Sequence, residues 1–277
     1  MNVLLINGSP HKDGCTNAAL VEMAKTLNEA GIETTIFHIG SAPVGGCVGC
    51  GGCGKTGSCV FGGPVAAVLP LVEKADGIVF GAPVHYATAA ASMLGFMHRL
   101  AISGGRYLRH KPAAVVTSAR RAGTTTALEA MEKVPQFFEM PLISSTYWPM
   151  VHGGKAEEAA ADAEGMQIMR NLGRNMAWIL RCIEAGKAAG IEAPVAENGR
   201  ILSADTRPAG GKAAFPLRER RSCFFQRELC QTLGAPAADI LLGDGLDRGV
   251  RLLGGLRRMA GRPDILQQRQ DRLIILR

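Results

Sequence analysis

Five short apolar runs alternate along the chain with longer segments whose apolar residues recur every three or four positions. The runs predict strands at Val3–Ile6, Thr34–Ile39, Gly77–Gly81, Ala113–Ser118 and Leu142–Ser145. The longer segments predict helices at Asn17–Ala30, Val65–Ala75, Ala89–Leu100, Thr125–Phe137 and Lys155–Ala188. Most runs are apolar at consecutive positions, which is typical of a parallel sheet covered on both faces. The pattern therefore predicts an α/β fold, a three-layer sandwich around a five-stranded parallel sheet.

The last predicted helix has one apolar face, formed by Met166, Met169, Leu172, Met176, Ile179, Leu180 and Ile183. We expect this face to pack on the sheet, and we expect Trp178 and Cys182 to take part in the same packing. Gly31 follows the first predicted helix, at the position where a residue with left-handed backbone commonly ends a helix.

A parallel sheet of this kind binds ligands beyond the carboxyl ends of its strands, where the strand order reverses. The loops that leave the predicted strands are therefore the candidate binding segments. They cover residues 7–16, 40–62, 82–88, 119–124 and 146–154.

The alternating pattern stops near Glu197, where the composition changes. Residues 201–277 contain 14 Lys+Arg against 8 Asp+Glu, whereas residues 1–200 contain 17 against 16, so most of the net charge of +7 lies in the C-terminal part. We predict a domain at residues 1–197 and a weakly structured Arg-, Gly- and Pro-rich C-terminal extension at residues 198–277. Because the main body is nearly neutral, we expect no nucleic-acid partner.

The sequence carries no signal for a membrane. Its start, MNVLLINGSP, lacks the features of a signal peptide, and no stretch reaches the roughly 20 apolar residues of a membrane helix. We therefore expect a cytoplasmic protein with no membrane partner. Thiols stay reduced in that compartment, and four of the eight cysteines lie within thirteen residues. Metal binding or redox chemistry is thus favoured over a disulfide framework.

The first candidate loop, NGSPHKDGCTN at Asn7–Asn17, has the surroundings of a phosphate site. A buried strand leads into it, a helix leaves it, and Gly8 allows a sharp turn. Ser9, Thr16 and Asn17 add side-chain donors to the free N–H groups of the helix start, where anions bind. The loop lacks the G-x-G-x-x-G of dinucleotide sites, so a single phosphate fits better. The alternative is an ordinary strand-to-helix loop capped by Thr16 or Asn17.

Two neighbouring loops suggest a flat ring beside the phosphate. APVHYATAA at Ala82–Ala90 contains Pro83, which stiffens the turn, and Tyr86, an aromatic residue able to lie against a ring. SARRAGTTT at Ser118–Thr126 contains Gly123 and several hydroxyls at the start of the next predicted helix. Loops of this composition suit a planar ligand with polar edges and one phosphate, and FMN is such a ligand.

The stretch GGCVGCGGCGKTGSC, residues 45–59, matches two different motifs. Its GCGGCGKT fits the nucleotide-loop pattern G-x-x-x-x-G-K-[ST], but that loop needs a strand before it and a helix directly after its Lys-Thr. Here SAPVGG precedes the match and GSCVFGGP follows it, so no helix is expected to begin at Thr56. We therefore reject the nucleotide-loop interpretation.

The same stretch spaces its cysteines as C-x2-C-x2-C-x5-C, at Cys47, Cys50, Cys53 and Cys59. Thiolates at this spacing, on a glycine-rich backbone that wraps closely, are able to hold a [4Fe–4S] cluster. Zinc is an alternative metal, although structural zinc sites more often use two separated pairs of ligands. A further alternative is four free thiols or a redox-active pair in a loop. The spacing favours the cluster.

Three segments together resemble the NAD(P)H-dependent FMN reductases of the flavodoxin-like superfamily. GSPHKDGCTN resembles their phosphate loop G-S-P-R-x-x-G-N-T, and APVHYATAAASMLGFMHRL resembles their flavin loop and helix, S-P-V-Y-x-G-x-x-x-x-x-L-K-x-F-x-D-R. The cysteine stretch is similar to the compact motif of the iron–sulfur flavoprotein branch. The resemblance covers about residues 1–200. The chain departs from it at Cys15, which replaces an asparagine, at His98, which replaces an aspartate, and at Phe61–Gly63, which replaces acidic residues.

The resemblance implies a set of cofactor contacts. Those implied for the FMN phosphate are Ser9, His11, Thr16 and Asn17. Those implied for the isoalloxazine ring are Pro83, Val84, His85 and Tyr86. Those implied for the ring edge or the ribityl chain are Ser118, Arg120 and Gly123. For Arg120 and its neighbour Arg121, the alternative is a solvated pair of surface arginines. No side chain is identified as a catalytic acid or base.

The resemblance also implies a flavodoxin-like fold and an FMN-dependent NAD(P)H oxidoreductase. Hydride would pass from NAD(P)H through FMN to a small-molecule acceptor (a quinone, a flavin, a nitro compound or a metal ion) or to a [4Fe–4S] cluster. The alternative is a non-enzymatic flavodoxin or iron–sulfur flavoprotein electron carrier, although flavodoxin-like carriers are typically acidic and rich in aromatic residues. A third class is a metal-sensing or redox-regulatory protein that uses the cysteines alone.

We expect the chain to form a homodimer or a higher homo-oligomer, as the resemblance implies. Tyr147 and Trp148 follow the fifth predicted strand, at an edge where a flavin or a partner subunit would lie. Aromatic residues are enriched at such interfaces, so these two are the candidates for the contact.

Overall fold

The apolar runs form a parallel sheet with helices on both faces, as the pattern predicts. A computed structural model describes residues 1–195. Its strands are β1 (Asn2–Asn7), β2 (Glu33–His38), β3 (Gly77–His85), β4 (Thr88–Ala89), β5 (Ala113–Ala119) and β6 (Met150–His152). Its helices are α1 (Cys15–Glu29), α2 (Cys53–Thr56), α3 (Gly63–Lys74), α4 (Ala91–Gly104), α5 (Thr124–Phe137), α6 (Ala156–Ala161) and α7 (Ala163–Ala188). The predicted boundary at residues 197–198 and the predicted extension lie outside the described residues.

The strand order of the sheet is β2-β1-β3-β5-β6, and each neighbouring pair in this order is parallel. The short β4 lies off this path and pairs antiparallel with the end of β3. The parallel strands thus follow the 2-1-3-4-5 order of flavodoxin-like proteins. The chain moves outward from β1 to β2 and then crosses to the other side of β1, so the order reverses between β1 and β3.

Both faces of the central strands are buried, which explains why their sequences are apolar at consecutive positions. In β1, Val3 and Leu5 belong to the core under α1 and α7, whereas Leu4 and Ile6 belong to the core under α3, α4 and α5. All four side chains are at most 1% exposed. Burying an aliphatic side chain of this size contributes about 1.5–3 kcal/mol relative to leaving it exposed.

The fifth parallel strand lies later in the chain than the sequence predicts. Of the predicted strand Leu142–Ser145, Leu142 lies opposite Ala113 of β5 in an isolated bridge, in which the Ile143 N–H donates a hydrogen bond of 2.8 Å to the Ala113 carbonyl. The regular strand is β6, which pairs with the end of β5. The backbone between the two is attached to α7, where Asn175 Nδ2 donates a hydrogen bond of 2.8 Å to the Ser144 carbonyl. A hydrogen bond to a helix side chain therefore replaces the sheet pairing that the apolar pattern predicts.

The long helix predicted at residues 155–188 is interrupted at Asp162, so that it forms α6 and α7. The Asp162 carboxylate accepts hydrogen bonds from the Gly165 N–H (3.0 Å), which caps α7, and from the His152 N–H (2.7 Å) in β6. The periodicity did not reveal this break, because an aspartate is compatible with either a helix interior or a cap. Within residues 1–195, no helix combines enough length and apolar surface to cross a bilayer.

The apolar face of α7 is confirmed at Met166, Met169 and Met176, which are buried. Trp178, expected to pack in the same layer, is 64% exposed, and Cys182 is also exposed, so both predictions are wrong. Trp178 follows the buried Met176 by two positions, and Cys182 follows the buried Leu180 by two positions. Two positions rotate a side chain by about 200° around the helix, so both residues lie on the face opposite the core.

Candidate functional site

The loops that follow β1, β3 and β5 meet at the carboxyl edge of the sheet. Asn7, at the end of β1, pairs with Gly81 in β3, and Pro83 in β3 pairs with Ser118 near the end of β5. The strand order reverses between β1 and β3, and a ligand crevice is expected at that point. The structure therefore brings together three of the loops that the sequence predicts as binding segments.

A buried amide orders the loop after β1. The Asn7 side chain is fully buried; its Oδ1 accepts a hydrogen bond from the Ser9 N–H (3.0 Å), and its Nδ2 donates to the Lys12 carbonyl (2.9 Å). From β2, the His38 Nε2 lies 2.7 Å from the Ser9 carbonyl oxygen. Neither Asn7 nor His38 belongs to the predicted set of contacts. Asn7 carries a sequence signal, since asparagine before glycine is a common turn former, whereas the contact of His38 depends on the β1–β2 pairing.

The start of α1 has no side-chain cap. Gly14 is the N-cap residue and has no side chain, and no other side chain accepts a capping hydrogen bond from the first turn. Thr16 is 1% exposed, and its Oγ1 shares a hydrogen bond of 2.8 Å with the Ser118 Oγ. The Asn17 Oδ1 lies 3.5 Å from the Asn7 Nδ2. The side-chain cap that the alternative predicts at Thr16 or Asn17 is therefore not formed, and the N–H groups of this helix start are able to bind an anion.

The residues predicted to contact the phosphate differ in exposure. Ser9 is buried, and its Oγ accepts a hydrogen bond of 3.1 Å from the His11 N–H. Thr16 and Ser118 are buried as well, Asn17 is half-buried, and the His11 side chain is exposed. Three buried hydroxyl groups thus lie close to the first turn of α1, and the His11 side chain lies in solvent.

Cys15 connects this loop to the segment after β6. Its Sγ lies 3.4 Å from the Gly153 carbonyl oxygen. Burial raises the pKa of the Cys15 thiol, a backbone hydrogen bond opposes this, and the negative charges of Glu158 and Glu157 add to the rise. The thiol therefore stays protonated and acts as a weak donor between two loops.

The strand β3 continues beyond its predicted end at Gly81, reaches His85, and turns back tightly into β4. The two residues of this turn, Tyr86 and Ala87, have φ angles of +50° and +61°, as a two-residue hairpin turn requires. The left-handed region costs a residue with a side chain about 1–2 kcal/mol. Strain of this kind is commonly found at ligand-binding sites. Tyr86 and His85 are exposed, whereas Pro83 and Val84 before them are half-buried.

Gly123 allows the loop after β5 to close against this turn. Its φ angle is +90°, and a Cβ atom there would lie 2.6 Å from the Cα of Ala87 and 3.0 Å from a methyl group of Val84. Only glycine combines this backbone with this proximity. In the same loop, Arg120 and Arg121 are exposed, and neither makes a salt bridge within the part of the chain that the structure describes.

A cleft with a volume of about 480 Å³ lies between α1, α6 and α7. It reaches the phosphate loop at Asp13 and Asn17, and the rest of its lining comes from helical residues such as Val21 and Arg170. None of the three buried hydroxyl groups near the start of α1 lines it. We therefore assign the candidate site to the strand ends and not to this cleft.

The cysteine stretch forms a second candidate site, beside α4. The helix α2 is a single turn that ends at Thr56, where Gly57 has a φ angle of +72°, and α3 begins only at Gly63. No helix begins directly after the Lys-Thr pair, so the rejection of the nucleotide loop is confirmed.

All four predicted metal ligands line one small cavity, namely Cys47, Cys50, Cys53 and Cys59. The first two are exposed and the other two are half-buried. Within residues 1–195, no three Cys, His, Asp or Glu side chains lie close enough together to hold a metal ion. The cysteines therefore share a cavity without forming an assembled ligand set.

A comparison with protein families identifies one family whose model covers the candidate loops. The family model for NADPH-dependent FMN reductases matches residues 1–155. The chain belongs to this family. The matched region includes the loop after β1, the hairpin after β3, the loop after β5 and the four clustered cysteines.

Individual relatives are named iron–sulfur flavoproteins, the branch that the cysteine motif resembles. An iron–sulfur flavoprotein of Methanocaldococcus jannaschii is 28% identical over 192 residues, which are 66% of this chain and 100% of that protein. An iron–sulfur flavoprotein of Archaeoglobus fulgidus is 33% identical over 126 residues, which are 44% of this chain and 62% of that protein. The chain thus spans all of the first relative and less than two thirds of the second.

A solved structure with a similar fold is that of RosB with the bound intermediate 8-demethyl-8-formylriboflavin-5′-phosphate. Its TM-score is 0.54 at 12% identity, over 78% of this chain and 96% of that chain. At this identity the likeness concerns the fold alone.

Proposed function

We propose that this chain is an FMN-dependent NAD(P)H oxidoreductase that passes hydride from NAD(P)H through FMN to a small acceptor. Family membership supports FMN-dependent oxidoreduction. The observation that carries the proposal is the uncapped start of α1, ordered by Asn7 and adjacent to the buried Thr16–Ser118 hydroxyl pair. Free N–H groups and buried hydroxyls are the donors that a phosphate monoester needs.

In this proposal the chain's residues bind the cofactor and orient it. The phosphate contacts are Ser9, His11, Thr16 and Asn17. The ring contacts are Pro83, Val84, His85 and Tyr86. The contacts to the ring edge or the ribityl chain are Ser118, Arg120 and Gly123. When bound, FMN supplies the ring that accepts hydride and releases electrons, so no side chain needs to act as the acid or the base.

The proposal includes a [4Fe–4S] cluster on Cys47, Cys50, Cys53 and Cys59. The chemistry of the donor set fits, because four thiols line one cavity. The loop would have to close these thiols around the cluster, and glycines such as Gly49, whose φ angle is +67°, give its backbone the freedom to do so. The names of the relatives in the iron–sulfur flavoprotein branch support the same assignment. The cluster would then receive electrons from the reduced cofactor.

The second candidate function is a non-enzymatic electron carrier. The observation in its favour is that the relatives are named iron–sulfur flavoproteins, a name that states a cofactor content and no reaction. Aerobic NADPH oxidation by the purified, FMN-loaded chain separates the two candidates. The oxidoreductase is expected to turn over repeatedly when a quinone or free flavin is added, whereas a carrier would be reduced slowly or not at all.

The phosphate site is tested with Ser9→Ala and Thr16→Ala. A hydrogen bond to a charged group is worth about 1.5–3 kcal/mol, so each variant is expected to bind FMN about tenfold more weakly or worse. The affinity for riboflavin, which lacks the phosphate, should change little. Flavin fluorescence titration measures both affinities.

The matched control for these variants is Thr34→Ala, which removes a hydroxyl at the amino end of β2, where its Oγ1 donates a hydrogen bond to the Asn28 Oδ1. It should leave both affinities unchanged. Wild-type FMN affinity in the Ser9→Ala, Thr16→Ala double variant would contradict the proposed site, and with it the proposed function.

A further inference from the structure

One face of α4 contacts residues 44–62, the cysteine loop, which contains the four clustered cysteines. The Val44 N–H donates a hydrogen bond of 3.3 Å to the Ser92 Oγ, at the first turn of the helix. One turn later, a Cβ atom at Gly95 would lie 2.4 Å from the Val44 carbonyl oxygen, so the loop backbone passes directly over the helix. Near the end of α4, the Cys53 Sγ lies 3.8 Å from the Ile102 carbonyl oxygen. These positions are separated by three and seven residues, which places them on one side of a helix.

Arg99 lies on the same face and contacts a cysteine directly. Its Nε and Nη2 atoms donate hydrogen bonds to the Cys59 Sγ at 3.3 and 3.2 Å. The Nη2 atom also donates to the Gly62 carbonyl at 2.9 Å. Its guanidinium carbon lies 5.9 Å from the centre of the Phe61 ring. One edge of the planar guanidinium therefore donates two hydrogen bonds to the same sulfur, a geometry that a lysine ammonium does not reproduce.

The positive charge of Arg99 has no carboxylate partner. Within residues 1–195, no Asp or Glu lies within salt-bridge distance of it. Among the residues that line the cysteine cavity, Arg99 is the one charged side chain. Arg99 is half-buried, and a partly desolvated charge without a counter-ion is costly. An anionic group in the cavity would remove that cost, and four thiolates around a cluster form such a group.

We propose that Arg99 is the positioning residue of the four-cysteine site: it holds Cys59 as a ligand and raises the reduction potential of the cluster. This inference rests on the cluster in the proposed function. Reduction adds one negative charge to the cluster, and a nearby guanidinium stabilises that charge, so the potential rises. Hydrogen bonds to ligand sulfurs and net charge are established determinants of cluster potentials.

The test uses the full chain, purified and reconstituted with iron and sulfide without oxygen, as wild type and as Arg99→Gln and Arg99→Lys. The readouts are iron and FMN content, the rate of iron loss to a chelator, and the cluster midpoint potential from an EPR-monitored titration. Arg99→Gln is expected to lose iron about tenfold faster. Its potential should fall by about 59 mV, a tenfold change in the one-electron equilibrium constant. Arg99→Lys should lose iron as fast and keep a potential closer to the wild type.

The matched control is Arg106→Gln. Arg106 Nη2 donates a hydrogen bond of 3.0 Å to the Gly57 carbonyl of the same loop, and within residues 1–195 the hydrogen bonds of its guanidinium go to oxygen atoms and not to sulfur. This variant should keep the wild-type potential, and all variants should keep wild-type FMN content.

Three results would overturn the proposal. The first is an Arg99→Gln variant that keeps both the wild-type potential and the wild-type rate of iron loss. If Arg99→Gln does not fold, a wild-type rate of iron loss in Arg99→Lys has the same meaning. The second is an equal shift in Arg106→Gln, which would indicate a general loosening of the loop. The third is a wild-type chain that takes up FMN but no cluster, which would also remove the cluster from the proposed function while its FMN-dependent part stands.

Discussion

At the scale of single residues, two side-chain choices shape the candidate flavin site. The buried Asn7 replaces missing backbone partners, since its amide satisfies both the Ser9 N–H and the Lys12 carbonyl. A buried polar group left unpaired costs about 1–3 kcal/mol, so this one residue holds the loop in a single conformation. Gly123 acts in the opposite way, because the absence of a side chain allows two loops to touch.

The role of Gly123 is tested with Gly123→Ala. The left-handed backbone costs about 1–2 kcal/mol with any side chain, and the 2.6 Å approach to Ala87 adds an overpacking cost of about 1–3 kcal/mol. We expect a loss of about 2–5 kcal/mol in the free energy of unfolding, together with weaker FMN binding. Urea unfolding and fluorescence titration measure the two effects.

Gly31→Ala is the control for Gly123→Ala. The φ angle of Gly31 is +75°, and a Cβ atom at that position would have no neighbouring atom within 4 Å, so only the backbone cost of about 1–2 kcal/mol should appear. Equal effects of the two variants on FMN binding would show that the contact between the loops is unimportant.

At the scale of elements, α4 joins the two candidate sites. The helix begins directly after the hairpin of β3 and β4, and its last turns lie under the cysteine loop. Ser92, Gly95, Arg99 and Ile102 provide the contacts, at intervals of three and four residues. The flavin-loop resemblance covers this helix, yet the sequence reveals only its apolar periodicity. The sequence does not show which polar and small residues of α4 face the cysteines. The path of the cysteine loop across the helix decides this.

Gly95→Ala is expected to destabilise the chain although alanine is the better helix former. Alanine contributes about 1 kcal/mol of helix propensity over glycine, but its Cβ would lie 2.4 Å from the Val44 carbonyl oxygen, where backbone must move. Overpacking costs about 1–3 kcal/mol, so the expected net loss in urea unfolding is up to about 2 kcal/mol.

The comparison variant for Gly95→Ala is Gly186→Ala in α7. Its nearest neighbour would be the Ile191 Cβ at 3.8 Å, an ordinary contact, so a gain of up to about 1 kcal/mol is expected. If both variants stabilise the chain, the close contact between the backbone at Val44 and α4 does not limit the side chain at position 95.

At the scale of the molecule, the sheet places the candidate flavin site at the carboxyl ends of its central strands and leaves an aromatic pair at its β6 edge. Tyr147 and Trp148 are 52% and 55% exposed, and their rings pack edge to face with centres 4.7 Å apart. Exposed aromatic residues beside a sheet edge are typical of protein interfaces. The predicted homodimer therefore has a candidate contact surface in this pair.

The dimer prediction is tested by sedimentation of the full chain, whose mass as a monomer is 29.2 kDa. We expect a species of about twice this mass, and Trp148→Ala should weaken the association, because an interface aromatic typically contributes about 1–2 kcal/mol or more. Trp178→Ala removes the exposed tryptophan of α7 and should have no effect. A monomeric wild type, or dissociation caused by Trp178→Ala instead, would contradict the prediction.

Much of the fold was predictable because it depends on local patterns. The continuous apolar runs of β1, β3 and β5 identify buried parallel strands, and the motifs in the loops after them identify the family. The wrong predictions concern segments whose structure depends on contacts with residues that are distant in the sequence. The sheet position of residues 142–152 depends on hydrogen bonds to α7, and the break at Asp162 depends on a hydrogen bond from β6.

The sequence by itself determined the layered α/β architecture, the family and the loops that carry the candidate chemistry, because hydrophobic periodicity and turn residues act over a few positions. Only the tertiary structure decided how these loops meet: that Thr16 bonds to Ser118 rather than capping α1, and that Arg99 reaches Cys59 across forty residues. Such contacts depend on strand order and on helix packing. No local pattern specifies them, because the partners become neighbours only when the sheet is assembled.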